Sequence, residues 1–587
     1  MSERILLNAR LGALVWLAAT VLSASTAGTV QRDPSVGSAS TSELRDVVMR
    51  YSVDRAALLR RYPVEASPRR HDRLREYYQD WQRRASAIAF DELALEGRID
   101  HILLRAQLAY QLRLHGRLAE WRRDAGALLP FAGVITGLED ARLAMEALDP
   151  REAAAALHRL AVDVDAARDA ALARNPAALD AFRAQEELVG LRRALESWSA
   201  YYSGYDPVFT WWTAAPLRTA IDALERYRTS LRGEVLGIRG EEAEPIVGTA
   251  IGREALEADL ASEFIPYSPA DLLAIAEREL AWCESEMTAA ARAMGLGDDW
   301  KAALERVKGL HVEPGAQPAL IRDLAREAEQ YVEAHALVTV PPLAKEVWRL
   351  QMMSPERQKV NPFFTGGETI SVSFPTDTMA HDDKLMSMRG NNVHFARATV
   401  FHELIPGHHL QSFMATRYNS HRSAFQTPFW TEGWALYWEM LLWDRGFARS
   451  PEDRVGMLFW RMFRAARIIF SLRFHLGEWT PQQCIDFLVD RIGHERANAE
   501  AEVRRSFNGV YPPLYQLAYM VGGLQFRALH AELVGSGTMS DRDFHDAVLA
   551  GGNMPVELVR ARLLRQPLSP EHAAVWRFDR PTSADAP

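Results

Sequence analysis

Between about residues 43 and 350 apolar side chains return every three or four positions, as at Leu103, Ala106, Leu108, Leu112 and Leu114, in a background of Ala, Leu, Arg and Glu. A period near 3.6 puts such positions on one face, so this half of the chain predicts stacked amphipathic helices. No unit of fixed length repeats, which disfavours a solenoid. The texture changes between Asn361 and Pro375, where Gly366 and Gly367 introduce Ile370, Val372 and Phe374 alternating with Thr369, Ser371 and Ser373. Period-two alternation predicts a strand. Isolated among helices, it is either an edge that takes up an extended peptide through Ile370, Ser371 and Val372, or an ordinary strand of a small sheet. Helical spacing resumes at Asn392, with one helix around His402, another from about Pro428 through Glu439, and more to about Arg565. The expected fold is mainly α, with a small β-sheet edge beside the helices that carry the candidate site.

The two ends differ from this pattern. Arg4 and Arg10 precede an apolar run from Leu11 to Leu22, and the small residues Ser23 to Gly28 follow. That is the layout of a secretory signal, cleaved near Ala27, and the run is short of the ~20 residues that span a bilayer. Residues 28–42, rich in Ser, Thr and Gly, read as a flexible leader, and 582–587 as a frayed tail. Between them, 43–360 and 361–581 are expected to form one integrated unit, a helical part and a part carrying the chemistry. The expected location is the periplasm or the exterior, with no stable membrane span in the mature chain.

Composition narrows the partners. The net charge is -9 and the basic residues are scattered, so nothing resembles a phosphate-tracking surface and nucleic acid is not an expected partner. Only Cys283 and Cys484 are present, which excludes a disulfide scaffold and a thiolate metal site. The aromatic cluster of Trp198, Tyr201, Tyr202, Trp211 and Trp212 is expected to be core rather than a groove lining.

The candidate chemistry sits in Phe401-His402-Glu403-Leu404-Ile405-Pro406-Gly407-His408-His409. In the common zinc-peptidase helix two histidines four apart share a face, because each residue turns about 100°. Here that position is Pro406. His408, six residues on, would point roughly 120° away from His402 on a regular helix. Pro406 lacks an N–H and Gly407 tolerates unusual backbone angles, so a local bulge can re-phase the helix and bring His408 to the metal. His409 faces the right side but lies about 10.5 Å along the axis, so it is expected beside the ligands rather than among them.

A third ligand is expected from Thr431-Glu432-Gly433-Trp434-Ala435-Leu436-Tyr437-Trp438-Glu439. Glu432 and Glu439 share a face otherwise built of Trp, Leu and Tyr, where two carboxylates are costly to bury unless paired or bound to a cation. Glu432 fits a ligand, and Glu439 a carboxylate that orients a ligating imidazole. Two imidazoles and one carboxylate leave Zn2+ an open position for water, and Glu403 is placed to take that water's proton.

These two segments together resemble a bacterial family known as domain of unknown function 885, which is similar to the gluzincin branch of zinc metallopeptidases. The resemblance extends over most of the chain after the leader, and 361–529 carries the specific motifs. Further on, Arg467, His475, Gly477, Trp479 and Thr480 match the family pattern, whereas Ser471 stands where an Asp is usual. Tyr519 is retained in a segment where Tyr515 and Met520 replace the usual Gln and Lys. The resemblance implies that a later helix supplies an oxyanion donor, for which Tyr519 is the candidate and His475 the second. The lost Lys implies a difference in substrate selection rather than in hydrolysis.

The expected activity is therefore zinc-dependent hydrolysis of peptide bonds in oligopeptides. A catalytically silent zinc-bound helical module and a zinc amidase acting on a non-peptide amide are the alternatives. Retention of Glu403 speaks against the first of these, since a structural zinc site closes its fourth position with another ligand.

Overall fold

The computed structural model describes residues 42–238, 245–358, 363–509 and 511–579. The expected signal, nearly all of the expected leader, the boundary near 360 and the tail lie outside the described residues.

Local sequence sets where the helices begin. Ser67-Pro68, Asp149-Pro150, Asp206-Pro207, Ser268-Pro269, Thr427-Pro428, Ser450-Pro451 and Thr480-Pro481 each place a capping oxygen before a proline at the first helical position. The side chain satisfies an N–H that has no partner in the first turn, and proline removes another. At Ser268 the box is reciprocal, with Asp271 bonding back to the cap.

Helices Pro150–Arg174, Ala178–Tyr202 and Pro207–Ser230 close around their own core, in which Leu157, Leu188, Leu191, Trp198, Phe209 and Tyr227 are buried. The aromatic cluster expected to be core divides here. Trp198 is buried and its ring meets Phe209, whereas Trp211 is 80% exposed and Tyr201 54%. Phe209 already fills an inward position of its helix, so Trp211, about 200° further round, turns outward, and Trp212 at the margin of that face is 41% exposed with Arg151 over its ring.

A second, larger core joins helices from both halves of the chain, from Val48 to Phe578. The helices that carry the candidate chemistry are α1 (Val393–Glu403), α2 (His408–Ala415), α3 (Pro428–Asp444), α4 (Pro451–His475), α5 (Arg496–Phe507) and α6 (Tyr515–Leu533). Nearly every residue of α4 from Val455 to Leu472 is buried, so it reads as a core helix apolar all round, interrupted by Arg461, Arg464 and Arg467. Cys283 and Cys484 are each buried and unpaired. Among the described residues no helix is long and apolar enough to cross a membrane.

The expectation of a mainly α fold with a small sheet holds. Strand β1 (Arg349–Met352) pairs in parallel with β2 (Thr369–Val372), Leu350 opposite Ile370. The expectation of an open edge at Ile370, Ser371 and Val372 does not hold. Ile370 and Val372 are fully buried against Ala396, Val400 and Leu404 of the α1 region. On the side away from β1, Ser371 exchanges backbone hydrogen bonds of 3.1 and 2.8 Å with Thr365 of its own chain. The sequence pattern shows alternation but not which neighbour satisfies the backbone.

Candidate metal centre

Asn392 caps α1 by accepting from the N–H groups of His394 and Phe395. The helix then stops at Glu403, turns through Leu404 to Gly407, with the Ile405-Pro406 peptide cis, and restarts as α2 on His408. The expected bulge is therefore a complete break. A Cβ on Gly407 would collide with the His402 carbonyl oxygen, so only glycine lets the chain fold back so tightly. Trp434 of α3 donates its indole N–H to the Pro406 carbonyl at 2.9 Å and pins the turn.

The break places His402 on the last turn of one helix and His408 on the first residue of the next, their rings 4.8 Å apart. The Glu432 carboxylate from α3 reaches both, with Oε2 at 3.1 Å from His408 Nε2 and 3.7 Å from His402 Nε2. One donor atom from each of the three residues lies within 4.8 Å of the others, and His402 and Glu432 are buried while His408 is partly exposed. Ligands at 2.0–2.2 Å around one tetrahedral ion stand about 3.3–3.6 Å apart, so this spacing suits an ion drawn between them. The donor set fits a divalent metal.

Glu439, two turns after Glu432, accepts from His402 Nδ1 at 2.6 Å. That bond puts the ring proton on Nδ1 and turns the Nε2 lone pair toward Glu432 and His408. Burial pushes the His402 imidazole down, but Glu432 and Glu439 outweigh it and hold its pKa at about 9. Burial raises Glu432 while His408 and His402 draw it well below the usual carboxylate range. In the absence of an ion a proton balances these charges, which is what a cation site asks of its ligands.

Glu403 faces the same cavity, and its carboxylate makes no hydrogen bond to a described residue. Burial raises its pKa, with His402 and His408 pulling the other way. The backbone of Gly366 lies on it, so that a Cβ there would run into the carboxylate. Thus it is Thr365 to Gly367, preceding the strand, that lines the cavity. Residues Ile370 to Val372 do not.

The other expected residues divide. His409 is not beside the ligands, because its Nε2 bonds the Ala344 carbonyl at 2.7 Å and its ring packs on Phe413. The first residues of α2 diverge, which sends adjacent side chains to opposite sides. Tyr519 of α6 lies in the site, its ring 6.3 Å from that of His402 and nearly parallel to it. His475 is not brought there. It sits at the far end of α4 in a separate cavity with Gly248, Thr249 and Phe507, and burial lowers its pKa to about 4.

Two residues of the site were not singled out for it from sequence. Tyr515, one turn before Tyr519 and on its face, donates its hydroxyl to Glu432. Burial, with Tyr519 and Glu432 adding to it, raises the pKa of that phenol, so it remains a donor. Arg464, three residues before Arg467, lines the same cavity of ≈ 620 Å³. An i,i+4 or i,i+3 partner to a residue already noted was the available signal in each case.

Fold and site together define a large helical protein with a His/His/Glu group able to hold a metal ion. Residues 59–563 match the model of a family described as bacterial protein of unknown function (DUF885), and the chain belongs to that family. Two solved structures share the fold. A candidate lipoprotein of unknown function from Shewanella oneidensis is 17% identical with a TM-score of 0.66, over 88% of this chain and 98% of that one. A candidate lipoprotein from Colwellia psychrerythraea is 16% identical with a TM-score of 0.56, over 89% and 98%. No curated protein matches the chain.

Proposed function

We propose that the protein is an exported zinc metallopeptidase acting on oligopeptides. The observation that carries this reading is the convergence of His402, His408 and Glu432 in a cavity that Glu403 also faces. Zinc bound there supplies Lewis-acid activation of water and of the scissile carbonyl.

The chain's own residues do the rest. Glu403, raised by burial and without a competing hydrogen bond among the described residues, takes a proton from the attacking water and passes it to the leaving amine. The C–N bond breaks, the water oxygen stays with the carbonyl carbon, and the amine leaves protonated. Tyr519, whose hydroxyl makes no hydrogen bond to a described residue, is placed to donate to the oxyanion that forms on the way. Tyr515 and Glu439 hold the ligands in orientation, one on Glu432 and one on His402. The ligands His402 and Glu432 and the carboxylate of Glu403 are buried, so extended segments of short peptides are the expected substrates.

Export is supported by the charged, apolar and small-residue order of the first 28 residues and by the lipoprotein descriptions of the two structural neighbours. Metal analysis of the purified protein, followed by digestion of a mixed peptide pool with and without chelator, tests the reading. Absence of bound metal, or a pool left uncut by the loaded protein, would overturn it.

A further inference from the structure

Arg464 is an anomaly in the core. Its side chain is 5% exposed, yet none of its N–H groups makes a hydrogen bond to a described residue, and its Nε is wholly buried without a partner. The nearest carboxylate oxygen, Glu439 Oε1, stands 3.6 Å from Nη2 and is already taken by His402 at 2.6 Å. The guanidinium instead lies over aromatic faces, 4.6 Å from the Tyr519 ring centre and 5.0 Å from that of Trp460. A buried cation held by rings and one long ion pair lacks the hydrogen-bond acceptors that such a group normally finds.

Arg467, one turn on, repeats the arrangement. Its Nε bonds Glu502 at 2.9 Å, but Nη1 is buried without a partner, and its guanidinium lies 4.3 Å from the Tyr519 ring centre. Glu502 is shared with Arg505 and with Gln516, so its oxygens leave Nη1 of Arg467 without an acceptor among the described residues. Both arginines line the cavity that holds the candidate metal ligands.

We propose that Arg464 and Arg467 form a subsite for the C-terminal carboxylate of a peptide, so that the protein releases short fragments from that end; this rests on the peptidase reading above. A carboxylate accepts from two guanidiniums in fixed, forked geometry, and the buried Nε of Arg464 and Nη1 of Arg467 have no acceptor among the described residues. Position sets the fragment length. The Tyr519 ring lies 6.3 Å from that of His402 and 4.6 Å from the Arg464 guanidinium, and an extended residue spans about 3.3–3.6 Å. A carboxylate held there belongs to a residue one to three places beyond the scissile bond.

The test uses matched peptides ending in a free acid or in an amide. Their binding to metal-stripped full-length protein and to the Glu403→Gln variant is measured by calorimetry, and their cleavage by the loaded protein is followed by mass. The acid is expected to bind at least tenfold tighter and to lose one to three C-terminal residues. Arg464→Met or Arg467→Met is expected to bring acid and amide within about twofold of one another, and Arg464→Lys to restore part of the gap. If Arg464 merely positioned Glu439, its variants would weaken acid and amide alike and leave their ratio unchanged, and the subsite would be wrong. Equal binding of the two peptides by the unaltered protein overturns the subsite and leaves the peptidase reading standing. An acid preference in binding without any cleavage sinks the peptidase reading while the subsite survives.

Discussion

Gly433 of α3 and Gly522 of α6 meet where the two helices cross, so closely that a Cβ on Gly433 would lie 2.6 Å from the Gly522 Cα. That contact fixes the distance between Glu432, the neighbour of Gly433, and the two tyrosines on α6. Gly433→Ala drives the helices apart. Overpacking of this kind destabilises by about 1–3 kcal/mol. We expect a lower urea midpoint and a weaker metal affinity in the same variant, with Tyr515 drawn away from Glu432. Unchanged metal affinity in a folded Gly433→Ala protein would mean that the crossing does not set the site.

The turn between α1 and α2 separates His408 from His409. His408→Ala is expected to abolish stoichiometric zinc, whereas His409→Ala keeps it and loses only the bond to Ala344. Glu403→Gln is expected to bind zinc fully and to cleave no peptide. Elemental analysis of the three purified variants decides the ligand set, and an empty site in His409→Ala with zinc retained in His408→Ala would reverse it.

Glu439 meets the ligand set through His402, and Arg464 stands 3.6 Å from the same oxygen. Its replacement by Gln keeps the shape but weakens the acceptor of the His402 Nδ1 proton. Loss of such an orienting carboxylate typically lowers metal affinity by about 10- to 100-fold. Competition with a chromogenic chelator measures it, and an affinity equal to the unaltered protein would remove Glu439 from the design.

How much of this was legible in the sequence follows from which interactions are local. The helix starts are local, a capping oxygen and a proline side by side, and the apolar period along the chain carried the fold class. The His402, His408 and Glu432 set was also legible, because Pro406 and Gly407 announce a break in the chain between two imidazoles. The form of the break was not. A bulge and a full stop call for the same two residues, and only the Trp434 indole on the Pro406 carbonyl distinguishes them. His475 and the strand edge failed for a similar reason. A histidine late on α4 and an alternating segment carry no mark of which cavity they face or whether Thr365 already occupies the backbone of Ser371. The exposed Trp211 shows the same limit, since large aromatics favour burial only where their helix face has a neighbour.

Buried neutral histidines set the pH dependence of stability in the metal-loaded protein. Burial lowers His494 and His545 to about 3 and His475 to about 4. Each has a folded pKa below its unfolded value of about 6.5, so the unfolded chain takes up a proton that the folded chain refuses. Their stabilisation is complete above that value and is lost as pH falls from about 6.5 toward 3. Glu263 acts in the opposite sense, because burial raises it to about 7 despite the Thr427 hydroxyl, and its contribution fades as pH rises from 4.5 to 7. These three histidines are expected to make the free energy of unfolding decline as pH drops below 6.5. Each uncompensated group contributes up to about 1.4 kcal/mol per pH unit. His545 accepts from Tyr437 and donates to the Leu337 carbonyl, both at 2.7 Å, and His545→Gln removes its titration. Urea melts at half-unit steps from pH 7 to 4 should show a shallower slope for His545→Gln than for the unaltered protein, and equal slopes would show that this imidazole does not govern the acid limb.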